Sequence, residues 1–250
     1  MKKSLLNFAS SVRDMTTVFV LASIPSISFG ATITTNWASG SIGASGNSDI
    51  LTQGTLEYAY RFGGKLSGNT TVNGVEFVQI NSTTYNGSSG YISWATLQNT
   101  GGDYTGGGGI AAFNALSSEY QTLVGDGFST TNYDKTPTVT LTNLIVDQSY
   151  FLQVWVNDSR SGSAGRETTL SLLNSDANNI TVSRNNGGIG TWATIEFTAT
   201  QTDETLQLSS TDANWPGISA LQLRAIPEPS TYALIAGVGL IGLLAIRRRK

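Results

Sequence analysis

The chain has no cysteine and no histidine among its 250 residues, and only 12% of them are charged. Without cysteine, no disulfide can staple the fold, so its stability must come from an apolar core. Without histidine, Ser-His-Asp catalysis, His-based zinc sites and a charge switch near neutral pH are all excluded. Carboxylates, hydroxyls, arginine and lysine remain for any chemistry. Charge is also unevenly placed. Seven of the fourteen basic residues lie at the two ends: Lys2, Lys3, Arg13, Arg247, Arg248, Arg249 and Lys250. The body from Ala31 to Ile226 keeps seven basic and fifteen acidic residues, a net charge of −8. An acidic body disfavours nucleic acid and anionic lipid as partners and is compatible with neutral glycans or divalent cations.

The N-terminus has the layout of a secretory signal peptide over residues 1–30. Lys2, Lys3 and Arg13 precede an apolar stretch, Met15 to Ile24; Pro25 ends it, and small residues follow at Ser26, Ser28, Gly30 and Ala31. The expected cut lies after Gly30 or Ala31. A retained N-terminal anchor is the alternative, against which the shortness of the apolar stretch counts.

The C-terminus is tripartite. Pro227-Glu228-Pro229 comes first, then the uncharged run Ala233 to Ile246, then Arg247-Arg248-Arg249-Lys250. As a helix at ~1.5 Å per residue the run would span roughly 21 Å, short of a hydrocarbon core of ~30 Å. Ser230 to Tyr232 can extend it, and the arginines can snorkel to the headgroups. Four consecutive cations should stay in the cytoplasm and leave the body on the far side of the membrane. Two prolines bracketing one acid fix an extended peptide that a protease-like cleft could read.

These three parts, in this order, resemble the PEP-CTERM sorting signal of Gram-negative bacteria. The resemblance covers residues 227–250. It implies recognition by an exosortase, a membrane-embedded cysteine transpeptidase-like enzyme, and association with exopolysaccharide or biofilm matrix. A plain C-terminal anchor is the alternative.

The body, about 196 residues long, is rich in Gly, Ser, Thr and Asn, with short period-2 runs between turn clusters. That pattern predicts an all-β, antiparallel sandwich of about ten strands over 31–226. The predicted strands are 56–62, 75–80, 91–97, 137–144, 150–157, 168–173, 180–183, 191–200, 205–209 and 218–226. Asn73-Gly74 is a hairpin signal. Phe113, Leu116, Tyr120 and Leu123 share one helical face, which predicts a single amphipathic helix over 110–124 lying on one end of the sandwich. The Gly-rich segment 101–109 lacks the Lys-Ser/Thr of a P-loop and reads as a linker. The body resembles the galactose-binding-like or carbohydrate-module-like jelly roll of some PEP-CTERM proteins, through a general sandwich pattern that transfers no ligand residue.

In 150–157 one row is apolar: Tyr150, Leu152, Val154 and Val156. The other row, Phe151, Gln153, Trp155 and Asn157, is mixed, and Asp158 and Arg160 follow. An aromatic ring flanked by amide, acid and guanidinium suits a sugar, whose C–H face packs on the ring while the polar groups take its hydroxyls. Trp155, Asp158 and Arg160 are therefore the candidate ligand residues. Alternatively, Trp155 packs under the helix and Asp158 and Arg160 close a loop as an ion pair. Trp215 is either an exposed ligand platform or a plug in the sandwich end. Asp103, Asp126, Asp134, Asp147 and Asp158 could hold a structural calcium, although no dense aspartate spacing links them. Among Glu57, Glu76, Glu119, Glu167 and Glu196 no spacing pairs an acid with a base, as a glycosidase requires.

The expectation is thus a non-enzymatic, exported surface or matrix protein, processed by an exosortase-type enzyme and associated with exopolysaccharide. It needs no cofactor and has a C-terminal transmembrane helix. A carbohydrate-binding module is the first alternative and a polysaccharide hydrolase the second.

Overall fold

The computed structural model describes residues 36–100, 104–105, 110–130, 136–174, 178–210 and 215–227. The expected leader, Glu228, Pro229, the apolar run 233–246, the basic cluster 247–250, Asp103 and Asp134 all lie outside these residues.

In chain order the strands are β1 (Ala38–Ser41), β2 (Thr55–Phe62), β3 (Thr70–Val72), β4 (Val75–Ile80), β5 (Gly87–Ser89), β6 (Ile92–Ala95), β7 (Gln98–Asn99) and β8 (Phe128–Ser129). They continue with β9 (Thr138–Leu141), β10 (Ser149–Val156), β11 (Glu167–Leu172), β12 (Ile180–Ser183), β13 (Thr191–Thr198), β14 (Glu204–Ser209), β15 (Gly217–Ile218) and β16 (Ala220–Ala225). A seven-stranded sheet runs β1-β13-β10-β16-β2-β4-β3 and a six-stranded one β12-β11-β14-β9-β6-β5. A small third sheet runs β15-β8-β7.

The predicted strands are present, with ends displaced by a few residues where the ladder stops. The segment 218–226 divides at Ser219, because Ile218 pairs with Phe128 in the small sheet while Ala220 pairs with Arg61 in the large one. The sheets are not antiparallel throughout. β2 and β4 run parallel, since the β3–β4 hairpin brings β4 back along β2 in the same direction. That hairpin turns at Asn73 and Gly74, with φ of 49° and 75°, the left-handed pair that an Asn-Gly turn favours.

Alternation then builds two cores. The inward row of the large sheet includes Tyr58, Tyr60, Phe62, Leu152, Val154, Leu221 and Leu223. It meets Trp94, Val139, Leu141, Leu170, Leu206 and Leu208 of the six-stranded sheet in one apolar cluster. This is the sandwich core.

The outward row of the large sheet is covered as well. Ala59, Phe77, Trp155 and Ala220 join Phe113, Tyr120, Leu123 and Val124 in a second cluster. The helical segment therefore lies across the outer face of the seven-stranded sheet, not over an end of the sandwich. It is also two helices, α1 (Ala111–Asn114) and α2 (Ser118–Val124). Ser117 separates them: its backbone is extended and its Oγ accepts from the Tyr120 amide at 3.3 Å, which caps α2.

Among the described residues no helix is long and apolar enough to cross a membrane. The expected transmembrane helix falls in the segment outside them.

Candidate functional site

Trp155, Asp158 and Arg160 sit at the end of β10, where the sequence places them, but they do not form one surface. Trp155 belongs to the outward row and is fully buried. Its Nε1 donates to the Tyr120 hydroxyl at 3.0 Å, and its ring meets Phe77 edge-on at 5.5 Å. No face of the indole is open to a sugar, so it cannot act as a stacking platform in this arrangement.

The rest of the mixed row is held in the same way. Gln153 Nε2 donates to the Asp49 carbonyl at 2.7 Å, and its Oε1 accepts from the Leu51 amide at 3.0 Å. Gln222 donates to the Leu51 carbonyl, and Arg224 donates to the carbonyls of Gln53, Thr52 and Gly54. Asn157 Nδ2 donates to the Val124 carbonyl at 2.8 Å. These polar side chains satisfy the backbone of the 49–54 segment and of α2 as both lie across the sheet.

Asp158 is also fully buried, at the centre of three guanidiniums. Arg160 binds it through Nε to Oδ1 and Nη2 to Oδ2, both at 2.7 Å. Arg166 Nη1 lies 3.0 Å from Oδ2 and Arg184 Nη2 lies 3.8 Å from it. The backbone supports the cluster, because the Asp158 amide donates to the Arg184 carbonyl at 2.6 Å. Asn185 Nδ2 bridges the carbonyls of Asp158 and Arg160 at 2.8 and 3.0 Å.

Burial alone would raise the Asp158 carboxyl. The hydrogen bond from Arg160 and the charge of Arg184 outweigh it and hold the pKa below the ordinary value. One anion among three cations makes this end locally positive on an otherwise acidic body. Arg184 is buried, whereas the side chains of Arg160 and Arg166 keep 40% and 26% of their surface in water. The Tyr104 ring lies under Arg160 and Arg184, at 5.1 and 5.6 Å from their guanidinium carbons.

Tyr104 lies within the Gly-rich segment read as a linker, yet it is buried and anchored. Its amide donates to the Gly125 carbonyl at 2.9 Å, and its carbonyl accepts from the Ser159 amide at 2.9 Å. Trp215 is 39% exposed beside this cluster, with its carbonyl accepting from Arg184 Nη1.

Among the described residues no three acidic groups gather as a cation site. Asp126, a calcium candidate, is instead fully buried against Arg61 at 2.9 Å and accepts from the amides of Lys65 and Leu66.

Arg61, Arg166 and Arg184 were absent from the candidates drawn from sequence. Arg61 carried a readable signal. It alternates with Ala59 on the outward row of β2, and small residues on a strand's second face indicate that something packs there. Arg166, eight residues along the same β10–β11 connection, and Arg184, which follows β12, carried none, because only the folded path of these loops turns them onto Asp158.

Where the fold ends, the tail begins. The Ile226 amide donates to the Ser149 carbonyl at 2.8 Å, and the Ile226 carbonyl accepts from Gln148 Nε2 at 2.5 Å. Pro227 follows directly, and the expected Pro-Glu-Pro motif therefore starts one residue after the last ladder contact.

A family model described as the PEP-CTERM protein-sorting motif matches residues 225–250, so the chain carries this motif. No curated protein matches the chain. Among solved structures, it is similar to the ANXUR1 extracellular domain from Arabidopsis thaliana, at 12% identity and a TM-score of 0.46. That match covers 69% of this chain and 49% of the ANXUR1 domain, so the chain spans about half the length of that relative. A CBM35 from Cellvibrio japonicus Abf62 is 24% identical, covering 41% of this chain and 78% of the module, with a TM-score of 0.28. A family 35 carbohydrate binding module from Clostridium thermocellum is 12% identical, covering 39% and 76%, with a TM-score of 0.30. The structural neighbours thus include carbohydrate-binding-module β-sandwiches.

Proposed function

We propose that the chain is the precursor of an exported, non-enzymatic surface protein. In this reading residues 1–30 are a removed leader and 31–226 a structural or adhesive body of jelly-roll type. Residues 227–250 are a sorting tail whose apolar run crosses the membrane as a helix. An exosortase-type enzyme reads Pro227-Glu228-Pro229 and releases the body to the cell surface or matrix, in association with exopolysaccharide. The observation that carries this is the match of the sorting motif to residues 225–250. Its position supports the reading: the last strand ends at Ala225, so a cleft can take the following peptide without unfolding a ladder.

Intact-mass measurement of the protein from its native cells, in membrane and extracellular fractions, tests the proposal. The expected mature form starts near Ala31 and ends near Pro227. Replacing Pro227, Glu228 and Pro229 by alanine should stop release without stopping export. A mature protein that still carries Arg247 to Lys250 would make the tail a plain anchor.

A second reading, a carbohydrate-binding module, is favoured by the half-exposed Trp215, whose carbonyl accepts from Arg184 of the Asp158 cluster. An exposed indole suits the C–H face of a hydroxylated ring. Glycan-array binding that is lost with Trp215→Ala, in a protein of unchanged melting temperature, is the expected result. Binding to no glycan would remove this reading and leave the structural role.

A further inference from the structure

Eight large hydrophobic side chains are exposed among the described residues, and five of them gather at one end of the sandwich. Leu56 lies at the start of β2, opposite Arg224. Tyr91 immediately precedes β6, Ile145 and Val146 lie in the turn from β9 to β10, and Leu173 follows β11. Backbone hydrogen bonds tie these segments into one face. The Thr142 amide donates to the Tyr91 carbonyl, Leu144 to Thr202 and Leu173 to Thr205, at 2.9, 2.9 and 3.0 Å.

Ile145 and Val146 are the most prominent, with Ile145 68% exposed. The turn that presents them is fixed. Asn143 and Asp147, on either side, take left-handed φ of 62° and 68°, a conformation that Asn and Asp adopt more readily than other residues with a Cβ. The Ile145 amide donates to the Tyr150 hydroxyl at 2.9 Å, and the Asp147 amide to the Ala199 carbonyl at 2.8 Å. Two apolar side chains are thus held out into solvent on a braced turn.

The tail leaves from this same face. Ile226 is bonded to Ser149 and Gln148, the residues just after that turn. From Pro227 to Ala233, where the apolar run begins, is six residues, which span about 20 Å at most when fully extended. The charges nearby are acidic, Glu57, Asp147 and Asp203, while the Arg224 guanidinium is turned inward onto the carbonyls of Gln53, Thr52 and Gly54. Such a face repels anionic lipid and tolerates zwitterionic headgroups, whose outer charge is an ammonium. An exposed apolar patch with an aromatic at its edge is what a membrane interface accepts.

We propose that this end of the sandwich docks on the surface of the zwitterionic bilayer that holds the tail. Ile145 and Val146 enter the headgroup layer and Tyr91 lies at the interface, which orients the body and its sorting motif before the tail is cut. The proposal rests on reading Ala233–Ile246 as membrane-embedded.

Because the chain has no cysteine, single-cysteine labelling of the full-length protein tests it directly. Val146→Cys, Ser161→Cys at the opposite end and Leu240→Cys in the apolar run each receive an environment-sensitive fluorophore. The proteins are reconstituted in phosphatidylethanolamine–phosphatidylcholine vesicles containing spin-labelled lipid. The expected result is a blue-shifted, quenched signal at 146 and 240 and a water-like signal at 161. A water-like signal at 146 with quenching at 240 overturns the docking and leaves the membrane-embedded tail intact. A water-like signal at both overturns the tail reading and the docking together.

Discussion

Trp155 and Tyr120 are bonded across the covered face of the seven-stranded sheet, Nε1 to hydroxyl at 3.0 Å, and neither ring reaches solvent. Trp155 therefore acts on the fold before it can act on a ligand. Trp155→Ala should cost about 3–5 kcal/mol, as for large aromatic truncations in a core. Tyr120→Phe, which leaves the indole N–H unpaired, should cost about 1–3 kcal/mol. Urea denaturation of both variants checks this. A Trp155→Ala protein as stable as wild type would contradict the burial.

Arg61 and Asp126 form a second buried pair that the fold depends on. Arg61 also donates to the carbonyls of Thr122, Leu66 and Gly68, so it joins α2 and the 63–68 loop to β2. Burial raises the Asp126 carboxyl and lowers the Arg61 guanidinium, which reflects how much desolvation the pair absorbs. Removing one partner strands the other charge, so Asp126→Ala should destabilise by about 3–5 kcal/mol. The double change Arg61→Leu with Asp126→Leu should cost less than the two single changes added together. Additivity in a double-mutant cycle would argue against the coupling.

Asp158 predicts a pH dependence with a definite sign. Its folded pKa is depressed below the unfolded value of about 3.9, so its contribution is complete above that value and disappears as pH falls through the folded pKa. Asp49, Asp126 and Glu204 are raised by burial and contribute in the opposite sense, as their stabilisation is lost on ionisation when pH rises. The difference between wild type and Asp158→Asn isolates the Asp158 part. It should be constant above about pH 5 and shrink below about pH 4. A difference that grew on acidification would contradict the ion-pair cluster.

Gly54 closes the segment that covers the mixed row of β10. Its φ is +78°, and a Cβ there would lie 2.4 Å from the Ala225 carbonyl oxygen, a backbone atom in a paired strand. Gly54→Ala should destabilise by about 1 kcal/mol or more. Hydrogen exchange should then quicken at the Leu51 amide, which depends on Gln153. Unchanged exchange at Leu51 would show that this segment tolerates the added methyl group.

The longer strands and the sorting motif are legible in the linear chain. Period-2 alternation identified ten strand segments, Asn73-Gly74 the hairpin, and residues 227–250 the sorting motif, because each of these is encoded in consecutive residues, while the short strands β1, β3, β5, β7 and β8 carry too little alternation to be read. It also separated the two rows of β10 correctly. It could not decide whether the row of Gln153, Trp155 and Asn157 faces water, because alternation tells which residues share a face and not what lies across it. Contacts over a hundred residues apart, such as Gln153 to Asp49 and Gln222 to Leu51, place the 49–54 segment on that face and bury it. The same holds for Asp158, which Arg184 reaches from beyond β12 and Arg166 by the turn of its own loop, and for the apolar end beside the tail. Only the tertiary structure brings those side chains together, since burial and charge pairing are properties of the packed chain and not of its local pattern.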